Sequence, residues 1–130
     1  MHYWLIKTEP ETWSWKNQIK EKKTQWDGVR NFQARNNLIK MQKKDLCFFY
    51  HSGKEKKIVG IVKVIKESYP DSSDKSGKFV MVNVETYKKL KKSVNLSEIK
   101  NNIKLRHIAL VRQARLSVMP IDKKSWSIIM

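Results

Sequence analysis

The run LCFFYHS at 46–52 constrains the fold more than any other stretch. It is apolar from end to end over a strand's length, with no polar residue before its own terminus. Such a run reads as a strand buried inside a sheet, so other strands must be found to flank it. HYWLIK at 2–7 is a short aromatic and β-branched run that stops at TEPE, and it reads as the first strand. IVGIVKVIKESY at 58–69 alternates over part of its length, and Gly60 within it marks a bulge or a close backbone approach. FVMVNVETY at 79–87 alternates as a half-buried strand should, and ALVRQARLSVMPI holds a last strand near 115–118.

Between these strands lie short helical pieces. Ser14 is placed to cap a helix through WKNQIKEKK. Asn31 is placed to cap one that carries Ala34, Leu38 and Met41 on a single face. Ser97 is expected to cap a small helix in SEIKNNI, and Asp122 a terminal turn with Trp126 and Ile129. YPDSSDKSGK reads as a polar loop. No repeat, linker or break in composition divides the chain, so a single domain over 1–130 is expected. Strands that come singly between short helices suit an α+β fold built on a small mixed barrel better than a doubly wound sheet.

Charge narrows the partners. The chain has 28 basic and 12 acidic residues, a net charge of +16. Such a surface attracts polyanions, and nucleic acid is the commonest of them. Runs such as Lys88, Lys89, Leu90, Lys91 and Lys92 also read simply as solvated faces. Only five of the basic residues are arginine: Arg30, Arg35, Arg106, Arg112 and Arg115. Two sit in WDGVRNFQARN and two in LVRQARL. Lysine serves a diffuse field, whereas a planar fork is needed where a phosphate or a base edge must be gripped by two bonds at once.

Enzymatic signatures are missing. Cys47 is the single cysteine, which excludes an internal disulfide and a cysteine-based zinc cage, and its apolar setting suggests a buried small hydrophobe. His2, His51 and His107 form no metal-ligand spacing, and four scattered glycines make no phosphate loop. His51 and Ser52 are neighbours, so a strand would turn them to opposite faces, a poor geometry for a base and its nucleophile. Glu9, Asp27 and His51 are the only candidates for a hydrolytic set, and TEP and WDG read equally well as turns. The expectation is a protein without catalysis, cofactor or metal. The N-terminus lacks a basic leader, and no segment has the length of a membrane span. A soluble monomer is expected, cytoplasmic in a bacterial cell or nuclear in a eukaryotic one.

Four segments mix aromatic, arginine and small polar residues: LIKTEP at 5–10, WDGVRNFQARN at 26–36, FYHS at 49–52 and LVRQARLSV at 110–118. A pocket for a flat heterocycle needs this mixture, with rings to stack, amides and hydroxyls to read an edge, and forks to hold phosphate. The same residues also permit a plain alternative, in which Trp26 and Tyr50 are core and Arg30 or Arg115 pairs with Asp27 or Glu9.

The order of these segments, from YWLIKTEPETWS through WDGVRNFQARNNL, DLCFFYHS and IVGIVKVIKESYPD to ALVRQARLSVMPI, with Trp126 late in the chain, resembles the EVE domain, a PUA-like family. The chain departs from that pattern with Thr8 for a usual Ser, Phe32 for Tyr and Ala114 for Gly. The resemblance implies a PUA-like mixed β pseudo-barrel flanked by short helices. It implies binding of a modified base, chiefly a modified cytosine in DNA or a modified base in RNA, flipped into a pocket as in the related YTH and SRA domains. By position it would bring Lys7 and Thr8 from the first strand, and Trp26, Val29, Arg30 and Asn31 from the WDGVRN turn. Tyr50, His51 and Ser52 would come from the buried strand, and Gln113, Arg115, Leu116 and Ser117 from across the site. Trp26 stays open between stacking wall and core anchor, while Trp4 and Trp126 belong to the core. Arg30 and Arg115 are the arginines expected at ligand or phosphate, with Arg35 bracing its helix through Asp27 or Glu9. Two other functions remain: a generic RNA-binding module, and a nucleic-acid hydrolase using Glu9, Asp27 and His51.

Overall fold

The apolar run forms β3 (Leu46–His51), whose last five residues are all buried in the computed structural model, which describes residues 1–130. β1 (Tyr3–Thr8) lies parallel on one side of it, with Tyr3 beside Leu46 and Thr8 beside His51. β4 (Lys57–Pro70) lies antiparallel on the other. A parallel pair cannot be joined by a tight turn. The chain between β1 and β3 therefore makes a long excursion through α1 (Trp15–Glu21), β2 (Lys23–Trp26) and α2 (Phe32–Lys40). β5 (Val80–Asn95) pairs with β4, and β2 pairs with β5. The short helix α3 (Leu96–Lys100), a 3-10 turn at Ile103–Leu105 and α4 (Ala109–Arg112) lead to β6 (Val118–Ile121), which pairs with β1. α5 (Lys123–Ile129) ends the chain.

The resulting six-stranded sheet has the order β2-β5-β4-β3-β1-β6, and β2 and β6 are its free edges. It curls without closing. α2 packs on β6 at one edge and on β4 and β5 towards the other, so the sheet wraps this helix. Ala34, Leu38 and Met41 form the buried face, as the spacing requires. Asn31 Oδ1 accepts the Ala34 N–H at 2.9 Å and starts the helix. The α+β architecture is as expected from the sequence, though "barrel" describes it loosely, because two edges stay apart.

Gly60 fulfils both expectations placed on it. The register with β5 shifts between Ile58 and Gly60, and a Cβ at Gly60 would overlap the Trp15 ring. Trp15 is fixed there by its backbone N–H, which donates to His51 Nε2 at 3.0 Å, and by an edge contact of its ring with Phe49 at 5.0 Å between centroids. Trp126 stacks on Phe48 at 3.8 Å and on Tyr3 at 4.5 Å, and so pins α5 to the sheet. Trp4 is buried and donates from Nε1 to Asp45 Oδ2 at 3.0 Å. Both tryptophans belong to the core. Cys47 is fully buried, and burial and the nearby Asp45 charge push its thiol far above the ordinary range.

Four expectations need correction. β2 was not foreseen. β5 continues past Tyr87 to Asn95, because Leu90 within the lysine run is buried and keeps the alternation going. Asn95, not Ser97, caps α3: its Oδ1 takes the Glu98 N–H at 2.8 Å and starts the helix earlier. The last strand is Val118–Ile121 and not 115–118, because pairing with β1 places Val118 beside Ile6 and Ile121 beside Tyr3. Pro120 is tolerated there because β6 is an edge strand whose outer N–H positions need no partner. No helix is long and apolar enough to cross a membrane.

Candidate functional site

A cavity of about 630 Å³ opens at the unclosed seam of the sheet. One wall is β2 and the turn after it, with Gln25, Trp26, Val29, Arg30 and Asn31. The facing wall is the end of β1, Lys7 and Thr8, with Trp13 from the following turn and Ser117 just before β6. The site therefore lies where a closed barrel would have paired two more strands.

One carboxylate outside the cavity organises the first wall. The Asp71 side chain has no exposure to water. Its Oδ2 accepts the Gly28 N–H at 2.9 Å and Arg30 Nη1 at 3.0 Å, and its Oδ1 accepts the Ser73 N–H at 2.8 Å and the Ser73 hydroxyl at 2.6 Å. Gly28 turns with φ of 80°, a conformation that glycine adopts without strain. Arg30 Nη2 also donates to Ser73 Oγ at 3.0 Å, so both arms of the fork are held. Burial disfavours the Asp71 anion, but hydrogen bonds from Ser73, Gly28 and Arg30 outweigh it and hold the carboxyl at about 2.

That pKa sets an acid response. The folded value of about 2 lies below the ordinary 3.8, so the stabilisation is complete above the ordinary value and is lost as pH falls through the folded one. Thermal denaturation is expected to show a midpoint that falls between pH 4 and pH 2, and less steeply in Asp71→Asn. An equal slope in both proteins would exclude Asp71 as the titrating group.

The other lining groups are also committed in ways that fix what remains free. Asn31 Oδ1 caps α2, which leaves its Nδ2 as a donor. Gln25 Nε2 donates to the Tyr69 hydroxyl at 3.2 Å, and that hydroxyl donates in turn to Asn83, which leaves Gln25 Oε1 as an acceptor. Trp26 is a core anchor, buried edge-on to Phe49 at 5.6 Å, and it also lines the cleft. Trp13 is anchored by its Nε1 to Gln18 at 2.9 Å, and the Thr8 hydroxyl donates to the Trp13 carbonyl at 2.9 Å. Lys7 Nζ donates to the Ala114 carbonyl at 2.9 Å and lies 5.6 Å from the Tyr50 ring centre, and its half-burial lowers its pKa.

Of the residues expected at the site, Lys7, Thr8, Trp26, Val29, Arg30, Asn31 and Ser117 meet in this cleft. Tyr50 and Ser52 line a separate cavity of about 190 Å³ that shares only Lys7 with it. His51 is buried and faces neither: its Nε2 accepts the Trp15 N–H, which leaves the proton on Nδ1 to be donated to Glu55 at 3.0 Å. Leu116 is buried, and Gln113 and Arg115 are exposed outside the cleft. Arg30 pairs with Asp71 and not with Asp27 or Glu9. Arg35 bonds to Asn36 and the Lys78 carbonyl, not to those carboxylates, because the loop before β5 lies against α2. Trp13, Gln25 and the Asp71–Ser73 anchor were missed. Trp13 stood in the conspicuous TEPETWS, and the D-x-S pattern at 71–73 signals a side-chain turn, but nothing local ties it to Gly28.

No catalytic arrangement is assembled from the candidates. His51 has both ring nitrogens engaged away from Asp27. A second cluster joins His107, Asp122 and Ser125, but acid and hydroxyl both meet Nε2, at 2.7 and 3.2 Å. A relay needs them on different nitrogens.

The EVE domain family model matches residues 2–130. Mouse thymocyte nuclear protein 1 is 34% identical over 163 aligned residues, covering 99% of this chain and 72% of the relative. The solved structure of Rpa0253 from Rhodopseudomonas palustris superposes with a TM-score of 0.93 at 41% identity, covering 99% of this chain and 90% of that one. Human THYN1 protein, solved in complex with 5-methylcytosine-containing DNA, gives 0.87 at 32% identity, with 99% and 95% covered. The YTH domain of Zygosaccharomyces rouxii MRB1 gives 0.61 at 15% identity and shares the fold alone. Sequence motifs, sheet order and these likenesses agree, and the chain belongs to the EVE domain family.

Proposed function

We propose that this chain binds nucleic acid and reads one modified, flipped base in the seam cleft, with 5-methylcytosine in DNA as the favoured ligand, and that it does so without turnover. The observation that carries the reading is the lining of the cleft. Trp13 and Trp26 supply aromatic walls, and the committed bonds of Asn31 and Gln25 leave one donor and one acceptor facing a flat ligand. A cytosine edge offers acceptors at O2 and N3 and a donor at N4, which matches that pair. The 5-methyl group would gain roughly 1–3 kcal/mol in an apolar niche such as Val29 offers. The human relative solved with 5-methylcytosine DNA supports the same ligand class.

The lysines supply the sequence-blind part of the affinity, which weakens with salt. Arg30, held at the rim, and Arg115, exposed two residues from Ser117 and without an ion-pair partner, are the phosphate contacts.

Competition binding at two salt concentrations tests this, with matched DNA and RNA oligonucleotides carrying cytosine, 5-methylcytosine, 5-hydroxymethylcytosine, adenine or N6-methyladenine at one site. One modified base should win by about tenfold, a gap of the size a filled methyl niche gives, and the gap should survive high salt. Asn31→Asp keeps the capping oxygen but removes the donor, and should reduce the ratio of modified to plain affinity. Equal affinities that fall together with salt would replace this reading with a generic RNA-binding module.

A further inference from the structure

We propose that the base next to the one in the cleft, on the same strand, stacks on an aromatic–arginine surface made by Phe32, Phe79, Arg30 and Arg35. This rests on the cleft reading above. Phe32 is the first residue of α2, and its ring stacks on Phe79 with centroids 5.0 Å apart and planes 26° apart. The Arg30 guanidinium lies 5.4 Å from the Phe79 centre, and that of Arg35 lies 4.9 Å from the Phe32 centre. The two rings thus pack on each other with a guanidinium over each, and Phe32 is the exposed ring of the two. Arg30 belongs to this group and also to the cleft lining, so the surface begins at the cleft rim.

Three features point to a ligand and not only to a staple between α2 and the loop before β5. First, Phe32 is 53% exposed, whereas a staple would be strongest with that ring covered. Second, both guanidinium planes are held by fixed partners: Asp71 and Ser73 hold Arg30, and Asn36 and the Lys78 carbonyl hold Arg35. Third, Arg35 has no carboxylate partner, so its charge stays available to a phosphate. Aromatic and guanidinium planes are what an unpaired base stacks on, and every base has a face to offer them. A base whose neighbour has been flipped out has lost one stacking partner, and this surface replaces it beside the cleft.

The test uses single-stranded oligonucleotides and the matching duplexes with one 5-methylcytosine, with an intact or an abasic neighbour, together with 5-methylcytidine and cytidine as free nucleosides. Phe32→Ala and Phe32→Leu should each weaken the intact oligonucleotide about tenfold, within the range of one lost stacking partner. Phe32→Trp should preserve it. Affinity for 5-methylcytidine alone should not change. In the wild type the abasic neighbour should reproduce the loss, and Phe32→Ala should add nothing further. A 2-aminopurine at the neighbouring position should be quenched on binding to the wild type and not to Phe32→Ala.

Equal losses for intact and abasic oligonucleotides would overturn the proposal and make Phe32 a staple. Losses seen only with duplexes would overturn it in favour of the orphaned base of the other strand. Failure of the cleft reading is distinguishable: the wild type would then bind 5-methylcytidine and cytidine alike, and both proposals would fall.

Discussion

Replacement of Asp71 by Ala is expected to lower stability by about 2–3 kcal/mol and to abolish preference for a modified base. Loss of one partner from a buried pair typically removes about 3–5 kcal/mol, and the lower figure allows for Arg30, whose side chain is 40% exposed and can return to water. The Gly28 N–H and two Ser73 donors lose their acceptor as well. These bonds set the turn that presents Val29, Arg30 and Asn31, so the ligand wall should lose its shape even where the protein stays folded. Urea denaturation and oligonucleotide titration on the same variant would separate the two effects. A stable variant that keeps its preference would show that the turn holds itself.

The second large effect is expected at Gly60→Ala. In a strand this change ordinarily stabilises, because alanine loses less backbone freedom and has higher strand propensity. Here the sign should reverse. The added methyl would occupy the six-membered ring of Trp15, which is held on one side by Phe49 and through its backbone by His51. Overpacking of this kind costs roughly 1–3 kcal/mol, and more where the neighbour cannot move. Trp15→Phe shortens the ring, so the double variant should be more stable than the sum of the single changes allows. Thermal or urea unfolding of the four proteins measures that coupling. Additive behaviour would mean that the backbone, and not Trp15, absorbs the methyl.

The legible parts of the fold were those whose pattern is complete within one segment. β3 announces itself because every residue from Cys47 to His51 is buried, and α2 because its cap and its buried face lie within eleven residues. β2 is four residues long, KTQW, and is a strand only because β5 lies beside it. β6 slid from its expected place because its register is chosen by β1, more than a hundred residues earlier.

The site divides the same way. The turn WDGVRN places four of the expected residues, Trp26, Val29, Arg30 and Asn31, along one cleft wall, although the Asp71 carboxylate that holds it lies far along the chain. YHS could not place its three residues on one wall, since neighbours on a strand face opposite ways, and His51 turned inward to Trp15. The scarcity of arginine was informative in outline. Arg30 is aimed at the cleft rim, but Arg35 went to a phenylalanine ring and Arg115 to open solvent.

The lysine run in β5 has a consequence for the protein's dealings with its own copies. β2 covers the outer side of β5 only as far as Thr86, so no strand pairs along that side from Tyr87 to Asn95. A bare flank of this length is a template for strand addition by another molecule. Lys88, Lys89, Lys91 and Lys92 surround the buried Leu90 on that flank. Like charge on these four amines opposes pairing of two such flanks, and acylating them is expected to weaken that barrier, which light scattering of the acylated protein would measure.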